Sequence, residues 1–183
     1  MTAATSESRV ETLRDGSRVS IRPIRPEDTQ AQAAFFEKLS AHSKHLLFLA
    51  GVAQLRDAEL ERLCAPDETR EMAYVAVAST PDGEQHVGVC RYAATQAPCE
   101  EAEISVAVAD AWQHKGLATL LLTRLIEHAR AKGVKRLYSV DSATNHRMRR
   151  LARHLGFEER PDPDDVHQVI YTMHLDGQGG AAH

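Results

Sequence analysis

The chain has 183 residues and a mass of 20.2 kDa, about the length of one domain, which argues against a multi-domain machine. Its composition, 43% hydrophobic and 26% charged, lies near the globular average and favours neither a disordered nor a membrane-spanning protein. The formal net charge of −4 and the pI near 6.2 have the wrong sign for a protein that binds a phosphate backbone. We therefore expect no nucleic-acid partner and no membrane insertion.

Both ends of the chain are small and polar, so we expect flexible tails at residues 1–9 and 176–183 and one domain over residues 10–175. The start carries no basic region followed by an apolar stretch, as a secretory signal would. The three cysteines cannot all pair and form no C-x-x-C motif: Cys64, Cys90 and Cys99. These features favour the cytoplasm.

The first half of the chain predicts a hairpin, helices and then two strands. Asp15-Gly16, between two short apolar runs, is typical of a β-hairpin turn. Apolar residues at helical spacing predict helices over the segment opened by Pro26, over Ser43–Leu49 and over Leu55–Leu63. The period then changes to that of strands, which we expect at Met72–Ala78 and Val87–Ala94, antiparallel to each other.

The second half alternates strands with helices. Strands are predicted at Glu101–Ala109, Val134–Val140 and Val166–Leu175, and helices at Gly116–Lys132 and Asn145–Leu155. The first two of these strands are joined through a helix, so they should lie parallel. The expected fold class is α+β, with α/β character.

A short loop before the longest helix is the first candidate site. It reads Asp110-Ala-Trp-Gln-His-Lys-Gly-Leu-Ala118. A glycine at the start of a helix leaves backbone N–H groups unpaired, and the helix dipole adds about half a positive charge there, which suits phosphate. Lys115 and His114 could add side-chain charge. The alternative is an ordinary strand-to-helix turn that needs a glycine.

Gln113-His-Lys-Gly-Leu-Ala118 resembles the Q/R-x-x-G-x-G/A loop of the GNAT superfamily of N-acetyltransferases. Asn145 at the start of a helix and Leu155-Gly-Phe157 resemble two further features of that family. The segment from Arg18 to Asp28 is similar to the acetyltransferase domain of Pat-like bacterial protein-lysine acetyltransferases. The resemblance implies a single GNAT-type domain whose mixed sheet has splayed parallel strands, the family's fourth and fifth, flanked by helices.

The resemblance also implies which residues hold acetyl-CoA. Strand residues would present backbone groups to the pantetheine arm, the loop would wrap the diphosphate, and an asparagine would reach the arm from the neighbouring strand. The implied set is Val106, Ala107, Val108, Gln113, His114, Lys115, Gly116, Leu117, Ala118, Thr119 and Asn145. Arg147 or Arg150 would suit the 3′-phosphate of CoA, although both could equally belong to a solvated basic face.

Acetyl transfer to an amine needs a neutral nitrogen, and deprotonating a lysine-like ammonium at pH 7 costs roughly 4–5 kcal/mol. Glu103 is the expected general base, matching a glutamate of the Pat-like enzymes. Glu101, on the same face of the strand, is the competing candidate. Many superfamily members have a tyrosine as general acid where this chain has Ala152, which leaves the acid unassigned.

Cysteine and metal chemistry receive less support from the sequence. Cys90 and Cys99 have no dependable histidine partner, so no acyl-enzyme is expected. His42 and His45 could share a helical face, but no third ligand completes a set nearby, so no metal is expected.

The leading hypothesis is an N-acetyltransferase that transfers the acetyl group of acetyl-CoA directly to an amine, with a protein lysine as the first-choice acceptor. A small amine such as a polyamine, amino acid or aminoglycoside is the second. A non-catalytic CoA-binding sensor is the third. The sequence leaves the acceptor open and does not distinguish a monomer from a homodimer.

Overall fold

The computed structural model describes residues 8–47, 56–94 and 96–176. Two short 3₁₀ turns lie at Pro26–Asp28 and Asp110–Trp112. The strands and helices in the described residues are, in chain order, β1 (Arg9–Thr12), β2 (Arg18–Pro23), α1 (Thr29–Lys38), α2 (Ala41–Leu47), α3 (Asp57–Cys64), β3 (Glu71–Thr80), β4 (Gly83–Ala93), β5 (Glu101–Val108), α4 (Leu117–Ala131), β6 (Arg136–Ser142), α5 (His146–Leu155), β7 (Glu158–Pro161) and β8 (Gln168–His174).

The strands of the described residues form one sheet of eight, in the order β1-β2-β3-β4-β5-β6-β8-β7. Neighbours run antiparallel except β5 and β6, which are parallel. The mixed sheet and the parallel pair confirm the predicted α+β class.

The parallel pair separates soon after it starts. Its register consists of Glu101 with Arg136, Ala102 with Leu137 and Glu103 with Tyr138. Beyond this point β5 continues to pair with β4 as far as Val108, and β6 continues to pair with β8 as far as Ser142. The facing edges of β5 and β6 therefore diverge and open a V-shaped space, which confirms the expected splay.

The main core lies between the sheet and α4. Leu121, Leu122 and Leu125 are fully buried there. A Cβ placed on Gly88 of β4 would come within 2.9 Å of the Leu121 side chain, so glycine allows α4 to lie close on the sheet. The opposite face of the sheet is covered by α1 and α3, where Phe35 packs against Ala107 and Cys64 against Val75.

The predicted elements differ from the observed ones in their bounds, and some differences matter for the packing. In α1 the buried residues are Gln32 and Phe35, whereas Ala34, an apolar residue of the helix predicted after Pro26, is exposed. The predicted strand Val166–Leu175 is shorter, at Gln168–His174, and it pairs with β7, a strand that the sequence pattern did not predict. Val166 itself is 86% exposed.

Some predicted segments lie outside the described residues. These are the tail residues 1–7 and 177–183 and the parts of the predicted helices that fall in 48–55. Arg9, at the edge of the predicted tail, already pairs with Ile21 in β1. Among the described residues, no helix has the length and apolarity needed to cross a bilayer.

Candidate active site

A cleft of about 320 Å³ opens where β5 and β6 separate. Its walls come from the end of β5, the loop into α4 and the start of α5. Most residues that the resemblance assigns to the cofactor line it: Val106, Ala107, Val108, Gln113, His114, Gly116, Leu117, Ala118, Thr119 and Asn145. Arg147 and Arg150, the expected partners of a 3′-phosphate, line it too. The fold thus brings together, around one cleft, residues from three separate stretches of the chain: 106–108, 113–119 and 145–150.

The loop into α4 has the backbone shape that anion binding requires. His114 and Gly116 both adopt left-handed conformations, with φ of 63° and 88°. The Leu120 amide donates back to the Gly116 carbonyl over 3.2 Å, so the amides of residues 117–119 have no carbonyl one turn earlier to bond. These amides and the helix dipole create a positive end that suits a diphosphate.

Gln113 fastens the loop to its surroundings. Its Nε2 donates to the Val108 carbonyl over 3.1 Å, and its Oε1 accepts a hydrogen bond from Arg147. On the other side of the loop, the Asp110 carboxylate accepts the Ser40 amide over 3.0 Å. The Ser40 amide holds the pKa of Asp110 below its usual range. Both side chains therefore position the loop between α5 and the corner before α2.

Lys115 does not place its side chain in the cleft. Its Nζ lies 2.8 Å from the Asp15 carboxylate and 4.7 Å from the centre of the Trp112 ring. The hydrogen bond and charge of Lys115 hold the pKa of Asp15 well below its usual range. The side chain thus ties the loop to the β1–β2 hairpin.

Arg14 supplies a cation to the cleft instead. Its amide donates to the Lys115 carbonyl over 3.1 Å, and its side chain lines the cleft. A Cβ placed on Gly116 would lie 3.3 Å from Arg14 Nε, so the guanidinium side chain lies directly on the loop. The sequence analysis missed Arg14, since nothing in a hairpin turn indicates contact with a loop so distant in the chain.

Asn145 sits at the N-cap of α5 with both ends of its amide engaged. Its Oδ1 accepts the Met148 amide over 3.1 Å, and its Nδ2 lies 3.1 Å from each carboxylate oxygen of Asp141. Asp141, also missed from sequence, lines the same cleft and is 7% exposed. Burial raises the pKa of Asp141. Asn145 thus fixes the wall of the cleft at the end of β6.

Glu103 lies on the face of β5 that carries α1. Along β5, Ala102 and Ile104 belong to the core under α4, whereas Ala107 packs against Phe35; by alternation Glu103 shares the face of Ala107. Glu103 is exposed, and no hydrogen bond or ion pair to its carboxylate occurs among the described residues.

The competing carboxylate, Glu101, has a partner. Arg136 donates to it over 2.8 Å. Glu103 therefore keeps its carboxylate available to a substrate, and Glu101 does not.

The cysteines and metal-ligating side chains that the structure describes show no arrangement that suits covalent or metal chemistry. Burial raises the pKa of Cys90 to about 12, and its thiol donates to the Leu121 carbonyl. Burial also raises the pKa of Cys99. Within the described residues, no three His, Cys, Asp or Glu side chains come together as a metal site.

Comparison with known proteins assigns the family. The model of the acetyltransferase (GNAT) domain matches residues 18–158. Acetyltransferase PA5475 of Pseudomonas aeruginosa is 43% identical over 169 residues, which cover 91% of this chain and 89% of that protein. The chain belongs to the GNAT acetyltransferase family. The resemblance seen in the loop, the asparagine and the L-G-F sequence is thereby confirmed.

Solved structures agree with this acetyltransferase fold. The GNAT domain of S. lividans PAT superposes with a TM-score of 0.83 at 25% identity, covering 95% of this chain and 99% of that one. RimL, a ribosomal L7/L12 alpha-N-protein acetyltransferase solved with coenzyme A, superposes with a TM-score of 0.72 at 17% identity, covering 93% and 99%. The second likeness shows the fold alone.

Proposed function

We propose that this GNAT acetyltransferase transfers the acetyl group of acetyl-CoA to the side-chain amine of a protein lysine, by direct attack in a ternary complex. The observation that carries the proposal is the cleft between β5 and β6. The loop into α4, whose backbone amides suit a diphosphate, forms one end of this cleft, and the strand that carries Glu103 forms one of its walls. The resemblance of the segment Arg18–Asp28 to Pat-like protein-lysine acetyltransferases favours a protein acceptor, and the fold is similar to that of the GNAT domain of S. lividans PAT.

The residues of the cleft fit the parts of CoA. The free amides after Gly116 and the cations Arg14, Arg147 and Arg150 suit phosphate groups. Apolar side chains suit the pantetheine arm: Val106, Val108, Met148 and Leu151. The unpaired edge of β5 beyond Glu103 offers backbone groups for the polar amides of that arm.

Bound acetyl-CoA supplies a thioester carbonyl. Glu103 takes a proton from the acceptor ammonium, directly or through a water molecule, which frees the nitrogen lone pair for attack. The nitrogen attacks the thioester carbon to form a tetrahedral intermediate, and a backbone N–H near Val106 or Ala107 stabilises its oxyanion. As the intermediate collapses, the C–S bond breaks, CoA leaves as the thiolate, and the nitrogen gives up its second proton to solvent.

The leaving thiolate takes its proton from solvent. Ala152 occupies the position where many relatives of the superfamily have an acidic tyrosine, and it is 1% exposed. The side chain therefore supplies no proton. Solvent protonation is sufficient because a CoA thiolate is a modest base.

The compartment we propose is the cytoplasm. The three cysteines within the described residues are free thiols, as is usual for proteins of a reducing compartment.

The test is release of free CoA thiol from acetyl-CoA in the presence of acceptors. The panel contains lysine-bearing proteins and peptides, polyamines, amino acids and an aminoglycoside. We expect release with lysine-bearing proteins and its loss in Glu103→Gln. Turnover with small amines alone would mean that the acceptor is a small molecule. Binding of CoA without release of thiol in the presence of any acceptor would mean that the protein is a non-catalytic sensor.

A further inference from the structure

A second cavity lies on the opposite side of β5 from the α4 core. It has a volume of about 120 Å³ and sits between the sheet and helices α1 and α3. Ala107 lines both this cavity and the cofactor cleft. Because this cavity lies on the face of β5 that carries Glu103 and shares Ala107 with the cofactor cleft, we take it to belong to the acceptor side.

The polar groups of the cavity are mainly hydrogen-bond donors. Gln32, Arg91 and Ser105 line it, among apolar side chains such as Phe36 and Val89. Gln32 is 1% exposed and its Oε1 is bonded to His86, 2.8 Å away. Its amide nitrogen has no partner among the residues that the structure describes. A donor-rich cavity favours an acceptor-rich ligand.

Arg91 is the charged group of this cavity. Its side chain is 14% exposed, and one terminal nitrogen donates to the Leu63 carbonyl over 2.5 Å. The same nitrogen lies 4.0 Å from the Glu71 carboxylate. No partner for its other nitrogens occurs within the described ranges. A guanidinium stays charged even when burial lowers its pKa, as here.

The buried carboxylates of this face are held mainly by arginines other than Arg91. Glu71 lies between two arginines, Arg91 at 4.0 Å and Arg62 at 3.2 Å. Asp28 is the other buried carboxylate near α1, and Arg22 holds both of its oxygens at 2.7 Å. Arg62 is thus the nearer partner of Glu71, which leaves the guanidinium of Arg91 able to bind a further carboxylate.

We propose that this cavity receives a carboxylate of the acceptor, bound by Arg91, so that the enzyme selects amines that carry a carboxylate close by. The proposal rests on the proposed acetyl transfer. For a protein acceptor, the carboxylate belongs to an Asp or Glu beside the lysine.

The geometry of the sheet supports this spacing. Arg91 pairs with Ser105, and Glu103 lies two residues along β5 on the same face. Diagonal neighbours of this kind are roughly 7–8 Å apart. Arg91 can therefore hold the carboxylate of the acceptor while Glu103 accepts the proton of the acceptor amine. The positive charge of Arg91 also offsets the repulsion between that carboxylate and Glu103.

The test compares matched acceptors that differ only in charge. One arm uses lysine peptides with Glu or Gln beside the lysine, and a second uses free glutamate and its carboxamide analogues, which separates the two sources of the carboxylate. The readout is the ratio of kcat/KM for the acid over the amide. We expect the wild-type ratio to be about tenfold or more in one arm, as for a charge-assisted hydrogen bond.

Arg91→Met should bring the ratio close to one, whereas Arg56→Met, which removes an exposed arginine at the start of α3 that pairs with Glu59 and not with Glu71, should leave it unchanged. Because Arg91 also fastens the end of α3, Arg91→Lys serves as a second variant that keeps the charge and should retain part of the preference. A wild-type ratio near one, or a ratio that survives Arg91→Met, overturns the inference while leaving acetyl transfer intact. Absence of transfer to every acceptor would instead overturn the proposed function.

Discussion

The side-chain nitrogen of Asn145 lies 3.1 Å from both carboxylate oxygens of Asp141. This hydrogen bond joins the end of β6 to the start of α5, and both residues line the cofactor cleft. The Asn145 oxygen caps α5 at the same time. Asn145 therefore stabilises the wall of the cleft by linking β6 to α5.

Replacing Asp141 with alanine should therefore destabilise the fold. The Asn145 amide and the Ser142 N–H would both lose their acceptor in a buried place, which costs about 1–3 kcal/mol of unfolding free energy. Chemical denaturation measures the loss. The control is Asp162→Ala, which removes a carboxylate that accepts a backbone hydrogen bond in an exposed loop. Equal losses of unfolding free energy in the two variants would mean that the hydrogen bonds of Asp141 contribute no more than those of a surface carboxylate.

Gly116→Ala should weaken CoA binding. The position has φ of 88° and its new Cβ would lie 3.3 Å from Arg14 Nε, so the loop would have to shift at a cost of about 1–2 kcal/mol. Gly83→Ala is the matched control, because its φ is 103° with no atom within 4 Å of the added Cβ. Calorimetric titration with CoA should show weaker binding for Gly116→Ala only. An equal effect of the two variants would mean that the loop at Gly116 does not contact CoA.

Arg14→Gln should lower CoA affinity more than Lys115→Gln does. Arg14 lines the cleft, and loss of a charge-assisted hydrogen bond to phosphate is worth about 1.5–3 kcal/mol. Lys115 instead pairs with the exposed Asp15, and such surface pairs contribute about 0–1 kcal/mol. Dissociation constants at low salt measure both. The reverse order would return the phosphate contact to Lys115.

Glu103→Gln should reduce turnover at neutral pH by about 10²–10⁴-fold, the usual contribution of a general base. The affinity for acetyl-CoA should stay the same, since Glu103 does not line the cofactor cleft. Glu101→Gln, which removes a carboxylate already paired with Arg136, should leave turnover nearly unchanged. Steady-state kinetics of both variants decide which carboxylate is the base.

The protein should lose stability as the pH falls below about 6.5. Burial lowers the pKa of His86 and of His128 in the folded state, so below the unfolded-state pKa of about 6.5 the unfolded chain binds more protons. Stability is thus present above that pH and is lost toward the folded-state pKa, by at most about 1.4 kcal/mol per pH unit for each histidine.

Denaturation midpoints between pH 7.5 and 5.5 measure this slope. His86→Gln should flatten it while keeping a polar neighbour for Gln32, and His174→Gln, at an exposed position, should not. If the pH dependence of stability were the same in His86→Gln as in the wild type, the imidazole of His86 would accept a proton as readily in the folded protein as in the unfolded one.

Local signals made much of the fold predictable. Asp15-Gly16 predicted the first hairpin, and the helical spacing of apolar residues such as Leu121, Leu122 and Leu125 predicted α4. β7 was missed because Glu158–Pro161 is a short, charged edge strand that ends in a proline and has no apolar alternation. The burial of Gln32 was equally invisible, because its partner His86 lies on a strand far along the chain.

The candidate site divides in the same way. The backbone loop at Gly116 is a local feature, so sequence indicated it. Arg14 and Arg91 depend on which strands become neighbours, and Lys115 was expected to face the anion because nothing local reveals its pairing with Asp15. Contacts made across the sheet are a property of the folded chain and not of any one segment.

A calorimetric titration of CoA into the wild-type protein and the Gly116→Ala variant tests most directly whether the cleft binds CoA. We expect binding of one CoA per chain, with weaker affinity in the variant. No heat of binding with folded wild-type protein would contradict it, since the cleft between β5 and β6 would then hold no diphosphate.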